Sequence, residues 1–441
     1  MRVRRSFGRV GQVLALPYLL EDQKKSYEWF LAEGIKQLFK EVSPIEGEGR
    51  EGFSLEFVNA HLGEPHTSEQ ACKDKNLTYS APLRVKGILK QNGKAVKEDD
   101  LYLADVPLMT ARGTFVINGS ENTLVNHLTR SPGVYFTKES QTEYRAHILP
   151  EFGAWLEFIL DTKRAKVTAN LDRKGNIPPT TLLRALGLST DAIMKQYSVT
   201  VSPVTEETLY PYLNWVVTDD VSNGKKLLHE GEPLTEEVLP AVLKANPKKL
   251  IFLDPYIQQS LDDDKKTASS DQALTLIYRK LRSTDKANRS AMEEFFKNLY
   301  FNHETYNLSK VGRFLVNKKL ELQRPENDVV LHPEEIVLTL KRLLDVVANP
   351  NVLDDKDHLA NKRVKTPGET AMDALRSGLK RMARLTEDRL SKYNREDEEE
   401  PLRNLVSART IQSSLNKLFY TGRLSQFLEQ TNPLMELTHK R

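Results

Sequence analysis

Cysteine is almost absent from this 441-residue chain: Cys72 stands alone, which excludes an intramolecular disulfide and any metal site built from several thiolates. Its plain reading is a small buried or half-buried side chain in a reducing compartment. Long apolar runs are missing too. No stretch approaches the roughly 20 residues that a spanning helix needs, and Met1-Arg2-Val3-Arg4-Arg5 has no apolar run behind it to make a signal peptide. The expectation is a cytoplasmic protein with no membrane segment. Charge of one sign is also lacking: 64 basic and 61 acidic residues leave a net charge of +3, so a site for a polyanion must be a local patch. Basic clusters fall at Arg2 to Arg9, Lys310 to Lys319, Lys362-Arg363 with Lys365, and His439-Lys440-Arg441. Each taken alone reads as a solvated face. Stand-alone catalytic signatures do not occur: there is no Gly-rich phosphate loop ending in Lys-Ser or Lys-Thr, no His-Glu-x-x-His, no Cys-x-x-Cys and no Gly-x-Ser-x-Gly. His127, His358 and His439 have no nucleophile beside them in sequence, which favours structural or contact roles.

What is present is the composition of a soluble globular protein, 39% hydrophobic and 28% charged, at a length that suits two or three domains. Apolar spacing from Leu20 onward predicts an amphipathic helix over about 20–40. Phe53-Ser-Leu-Glu-Phe-Val and Leu83-Arg-Val-Lys-Gly-Ile-Leu alternate as half-buried strands do. Asn118-Gly119 signals a tight turn after Phe115-Val-Ile, and Glu121 to Leu128 reads as a helix. The pattern changes near 140, with strands at 145–149, 155–161 and 166–172 and helices at about 178–187, 271–282, 290–301 and 333–347. The 200–260 stretch is mixed. Helical periodicity returns over 368–394 through Met372, Leu375, Leu379, Met382 and Leu385. Asp262-Asp-Asp-Lys-Lys and Glu396 to Glu400 read as hydrophilic loops.

Several longer strings are more distinctive. Thr114-Phe-Val-Ile-Asn-Gly-Ser-Glu and Leu128-Thr-Arg-Ser-Pro-Gly-Val-Tyr-Phe136 resemble the bacterial RNA polymerase β-subunit family. So, in the same order, do Leu62-Gly-Glu-Pro65, Thr78-Tyr-Ser-Ala-Pro-Leu83, Ile177-Pro-Pro-Thr-Thr-Leu-Leu-Arg-Ala-Leu-Gly187, Leu308-Ser-Lys-Val-Gly-Arg-Phe, Asn317-Lys-Lys-Leu320 and the final Leu424 to Arg441. The resemblance implies a multidomain α+β fold. A mixed α/β protrusion spans about 1–138 and 365–420, an inserted mixed α/β lobe 140–360, and the start of the fork 421–441.

The function implied is that of the N-terminal part of β in DNA-directed RNA polymerase, a nucleotidyltransferase, forming one wall of the channel that holds downstream DNA and the RNA–DNA hybrid. Its partners are β′, α and ω, a σ factor, DNA, nascent RNA and rifamycin-type ligands; the cell compartment is the cytoplasm at the nucleoid. Magnesium belongs to the whole polymerase, held mainly by β′, with no cofactor and no catalytic residue in this portion, which is inactive alone. The end at Arg441, inside a family string, is expected to reflect a truncation or a split gene. The alternative is a non-catalytic nucleic-acid-binding or regulatory protein derived from β. Arg130, Asp357 and Lys362 fall where the family lines a pocket for an unpaired nontemplate guanine, Lys362 replacing its usual arginine. In the rifamycin and RNA-path region, Val125, Gln426, Phe427 and His439 match the family, whereas Asn122, His127 and Glu429 replace arginine, glutamine and aspartate. Gln426 and Arg441 are implied donors to the RNA backbone.

Overall fold

The computed structural model describes residues 18–47, 52–222, 226–229, 231–245, 247–265, 267, 269–282, 288–349, 352–393 and 401–441. The basic start Arg2 to Arg9 and the acidic run Glu396 to Glu400 lie outside the described residues. The chain folds as two compact α+β units: Met1–Thr129 with Val364–Arg441, and Arg130–Arg363, which interrupts the first in sequence.

The first unit opens with helices α1 (Glu21–Trp29) and α2 (Ile35–Val42), joined through a π-helical turn at Phe30–Gly34. Tyr27, Phe30, Ile35, Leu38 and Phe39 fall on their inner face and are buried, as the apolar spacing requires. Strands β1 (Phe53–Leu62), β2 (Ser80–Gln91) and β3 (Lys94–Pro107) form an antiparallel meander. Strands β4 (Phe115–Ile117) and β5 (Ser120–Leu124) make a hairpin, Ile117 opposite Ser120. Asn118 and Gly119 turn it with φ of 49° and 81°, the paired left-handed conformation that matches strand twist in a two-residue turn. The helix expected over Glu121–Leu128 is therefore not formed. The turn sends the chain back antiparallel, and a further strand from the end of the chain takes the other edge of β5.

The second unit starts with a five-stranded antiparallel meander: β6 (Gly133–Lys138), β7 (Glu143–Leu149), β8 (Leu156–Asp161), β9 (Lys166–Leu171) and β10 (Gly175–Ile177). The change of pattern near 140 falls inside this sheet, between β6 and β7. Phe136, Ile148, Phe158 and Leu160 on one face share a core with helices α3 (Pro179–Ala185), α4 (Pro255–Asp263), α5 (Ser270–Arg282), α6 (Arg289–Tyr300), α7 (Ser309–Leu320) and α8 (Pro333–Ala348). Residues 198–253 build a smaller core around Leu209, Leu234, Val242 and Phe252, over a three-stranded sheet.

Asp262-Asp263-Asp264 is not a plain solvated loop. Asp262 and Asp263 end α4, whereas Asp264 is buried and accepts from Thr180 Oγ1 (3.0 Å), Thr181 Oγ1 (2.7 Å) and Arg184. Its partners sit some 80 residues upstream, where no local pattern reveals them. Burial raises its carboxyl above the ordinary aspartate value, against the pull of Thr181 and Arg184.

The first unit resumes with α9 (Pro367–Leu390), where the periodicity predicts a helix, then α10 (Ala408–Phe419), β14 (Ser425–Phe427), so numbered because β11 (Ser198–Val201), β12 (Val216–Val217) and β13 (Leu250–Leu253) are the strands of the small sheet, and α11 (Pro433–Lys440). Tyr27 meets Phe115 edge-on at 5.0 Å between centroids and Phe115 meets Phe419 at 5.2 Å, so the returning segment completes the core begun by α1.

In the second unit the Arg313 guanidinium is fully buried on α7 and donates to the carbonyls of Asp328 and Val330 and to the Glu335 carboxylate on α8. Removing one member of such a pair leaves an uncompensated buried charge. Glu335→Leu is expected to lower the stability of this unit by about 3–5 kcal/mol. Arg313→Met combined with Glu335→Leu should cost clearly less, read from urea unfolding followed through the fluorescence of Trp155 and Trp215.

Candidate nucleic-acid interface

In the second unit, Arg130, Asp357 and Lys362 belong to two segments that run side by side. Ser131 N–H donates to the Asn361 carbonyl (3.0 Å), and Asn361 Nδ2 donates to the Asp355 carbonyl (2.7 Å). The Asp357 segment is tied to β6 from beneath: Phe136 N–H donates to Asp354 Oδ2 (2.8 Å) and Asp354 N–H to the Phe136 carbonyl (2.7 Å). Lys319 of α7 completes this anchor, donating to the Val134 carbonyl (2.8 Å), pairing with Asp354 (2.8 Å) and lying 4.1 Å from the Tyr135 ring centroid. Burial holds the Lys319 ammonium below its usual value, opposed by Asp354. Burial pushes the Tyr135 phenol up to about 12, Asp354 adding to the rise.

On this support Asp357 is 77% exposed and forms an ion pair with Lys362 (3.4 Å). Its partner is thus Lys362 rather than Arg130, whose half-exposed side chain forms no ion pair with a described residue. The rest of the basic run is engaged: Arg363 pairs with Glu151 (2.9 Å) and Lys365 with Asp373. His358 Nδ1 accepts from Ala360 N–H (3.1 Å), capping a short turn.

In the first unit, β14 pairs antiparallel with β5, placing Phe427 opposite Asn122 and Gln426 opposite Thr123, while Val125 N–H donates to the Leu424 carbonyl (2.9 Å). Asn122 is buried and its Nδ2 donates to Ser425 Oγ (3.3 Å). Phe427 is 76% exposed. His439 on α11 joins the segment: its Nδ1 accepts from Glu429 N–H (3.1 Å), which leaves Nε2–H to donate to Gln426 Oε1 (3.0 Å). Asn122, Val125, Gln426, Phe427, Glu429 and His439 thus gather around β5, β14 and α11. His127 and Arg441 instead line a cleft of about 550 Å³ with Asp22, Gln23 and Lys25.

Sequence reasoning did not single out what holds this arrangement. Arg112 pairs with Glu436 (2.6 Å) and Glu121 (3.4 Å), Lys440 also pairs with Glu436, and Gln430 Nε2 donates to Glu121 Oε2 (3.2 Å). Lys440 and Arg112 hold the Glu436 carboxyl below the ordinary glutamate value. Scattered charged residues separated by up to 324 positions leave no periodic signal. Among the described residues no group of three or more His, Cys, Asp or Glu side chains offers a metal site.

Comparison with known proteins adds a second line of observation. A family model described as RNA polymerase beta subunit matches residues 18–112, and one described as RNA polymerase Rpb2, domain 2, matches 235–365. The chain is 34% identical over 479 residues to the DNA-directed RNA polymerase subunit beta of Thermosipho melanesiensis, covering 100% of this chain and 41% of that protein. It is 35% identical to that of Pseudothermotoga lettingae over 480 residues, with the same coverage, and 34% identical to that of Syntrophomonas wolfei, covering 99% of this chain and 35% of the relative. The chain thus spans about two fifths of the length of the first of these curated relatives.

The two bonds of His439 carry a local expectation. Since a hydrogen bond contributes about 0.5–1.5 kcal/mol net, His439→Leu should speed amide exchange at Glu429 by roughly threefold to tenfold. Exchange of the α1 amides should stay unchanged, as measured by hydrogen–deuterium exchange.

Proposed function

The chain belongs to the bacterial RNA polymerase β-subunit family, and from that membership we propose that it forms one wall of the polymerase's main channel, gripping downstream DNA and the RNA–DNA hybrid. The observation that supports this most strongly is similarity running along the whole chain at about one-third identity. In this reading the enzyme is a DNA-directed nucleotidyltransferase assembled with β′, α, ω and a σ factor, and its magnesium ions are held mainly by β′. The residues of this chain contribute grip and position. Arg130 and Lys362 present cations, and Asp357 presents an exposed carboxylate able to accept from the N1–H and N2–H donors of an unpaired guanine. Lys362 gives a point charge where an arginine would give a planar fork.

Around β14, Gln426 and Arg441 border the path of nascent RNA in this proposal, and the exposed Phe427 offers a flat apolar surface to RNA or to a rifamycin. Asn122, His127 and Glu429 change the polar lining expected for rifamycins. In a polymerase assembled with this sequence, reverting them to Arg, Gln and Asp is expected to strengthen rifampicin inhibition by roughly one to two powers of ten. Equal inhibition of the two enzymes would remove these three residues from the ligand's reach.

The grip itself is tested in the same assembled enzyme. Asp357→Ala should abolish the preference for guanine over adenine at the recognised nontemplate position, a loss of about 1–3 kcal/mol of discrimination. The isolated chain should make no RNA with any template and divalent metal. Unchanged guanine preference would sink the pocket assignment, and magnesium-dependent synthesis by the chain alone would sink the assignment of catalysis to other polypeptide.

A further inference from the structure

A groove of about 390 Å³ lies in the first unit between α9, α10 and the segment that leads into β14. Ser377 and Arg381 line it from α9, Ser413 and Lys417 from α10, and Arg423 from the segment beyond. No carboxylate is among its lining residues. Each helix supplies the same pair, a hydroxyl and a cation four residues apart, which puts them one turn, about 5.4 Å of rise, from each other on one face. All five side chains belong to exposed residues. None of the three cations pairs with a described carboxylate, and the Ser377 and Ser413 hydroxyls make no bond to a described residue. Ser414, by contrast, has its hydroxyl committed to the Thr410 carbonyl (3.1 Å).

The walls are fixed. Gly378 lets the helices approach so closely that an added Cβ would sit 3.0 Å from Ile411 Cα and 3.2 Å from the Ser414 side chain. Gly422 folds back against the end of α10, where an added Cβ would fall 2.4 Å from the Leu418 carbonyl oxygen. The Arg423 backbone is held by its carbonyl, which accepts from Gln426 Nε2 (3.2 Å), and its side chain lines the groove. The basic run Lys362, Arg363 and Lys365, by contrast, has each cation paired with a carboxylate. Here three cations share one groove with two hydroxyls that have no partner among the described residues, and no carboxylate lines it.

We propose that this groove binds the phosphodiester backbone of a single nucleic-acid strand, the serine–cation pairs of α9 and α10 holding phosphate oxygens and Arg423 closing over them. Charge-assisted bonds from lysine and arginine supply most of the attraction, and the hydroxyls orient the phosphate. A single strand fits better than a duplex: half-buried Ala374, Leu418 and Leu424 also line the groove, an apolar surface suited to an unstacked base face, which a double helix keeps turned inward. The site shares no residue with the Arg130, Asp357 and Lys362 set and requires no guanine.

The test uses the whole chain. Cys72 is its single cysteine and is buried, so Ser413→Cys introduces an accessible thiol at the groove. Its alkylation by iodoacetamide is followed alone and with an oligothymidylate, the same strand as a duplex with oligoadenylate, or inorganic phosphate. The expected result is several-fold slower alkylation with the single strand only. In the Arg381→Gln, Lys417→Gln, Arg423→Gln background the protection should vanish. By fluorescence anisotropy, single-strand affinity should fall about tenfold and the slope of log K against log salt should drop by about 2, at roughly 0.7 for each phosphate no longer neutralised. Asp357→Ala should leave protection intact, which separates failure here from failure of the guanine pocket. Absence of protection, equal protection by inorganic phosphate, or protection by the duplex at the level of the single strand overturns the proposal.

Discussion

The second unit depends on one buried cation. A guanidinium has five N–H donors and cannot shed its charge, so a fully buried arginine must find acceptors in every direction it points. Arg313 finds them in the Asp328 and Val330 carbonyls and in Glu335, joining the middle of α7, the connecting segment and the first turn of α8. Glu335 also accepts from the His332 backbone N–H (3.0 Å), so the same carboxylate caps the helix it begins. Fixing the start of α8 aims Ile336, Leu340 and Leu343 into the core that the five-stranded sheet shares. Fixing α7 aims Lys319 at Asp354, and Asp354 is what fastens the Asp357 segment to β6. The exposed pair of Asp357 and Lys362 is thus the outer end of a chain of contacts that starts at a desolvated charge.

The first unit reaches a similar result by different means. Its exposed residues stand on a short strand, β14, whose backbone is held by β5 on one side and whose Gln426 side chain is held by His439. Beneath them the ion pairs of Arg112, Glu436 and Lys440 are partly solvated, and each contributes modestly by itself. Their value lies in direction. Together they fix α11 against the hairpin, so that Phe427 stays exposed while its strand neighbour Asn122 is buried.

Local periodicity made the helices of 20–40, 333–347 and 368–394 legible, because a helix writes its buried face into neighbouring residues. The alternating strands of 53–58 and 83–89 were legible for the same reason. Glu121 to Leu128 was not. Leu124 and Leu128 stand four apart as a helix would have them, and what decides the matter is a partner strand beginning at Ser425. Asp264 was hidden likewise, since a run of three aspartates says nothing of two threonines and an arginine far upstream. At the sites, residue identities were legible only through resemblance to a family. Their pairing was not: the ion pair of Asp357 with Lys362, and the separation of His127 and Arg441 from the group around Gln426, follow from backbone paths that no short string encodes.

The pairing of β5 with β14 also sets a schedule for synthesis. Asn122 and Ser425 touch across 303 residues of chain, so a ribosome must deliver the whole interrupting unit before the strand that completes the first unit exists. Until then β5 offers a bare edge, with unpaired N–H and C=O groups ready to recruit strands from other molecules. The interrupting unit has its own core and can settle while the chain is still emerging, whereas the unit that begins first must finish last. For this fold the vulnerable interval is the time between translating residue 124 and residue 425, when that strand edge and the apolar face later covered by α9 and α10 are both still bare.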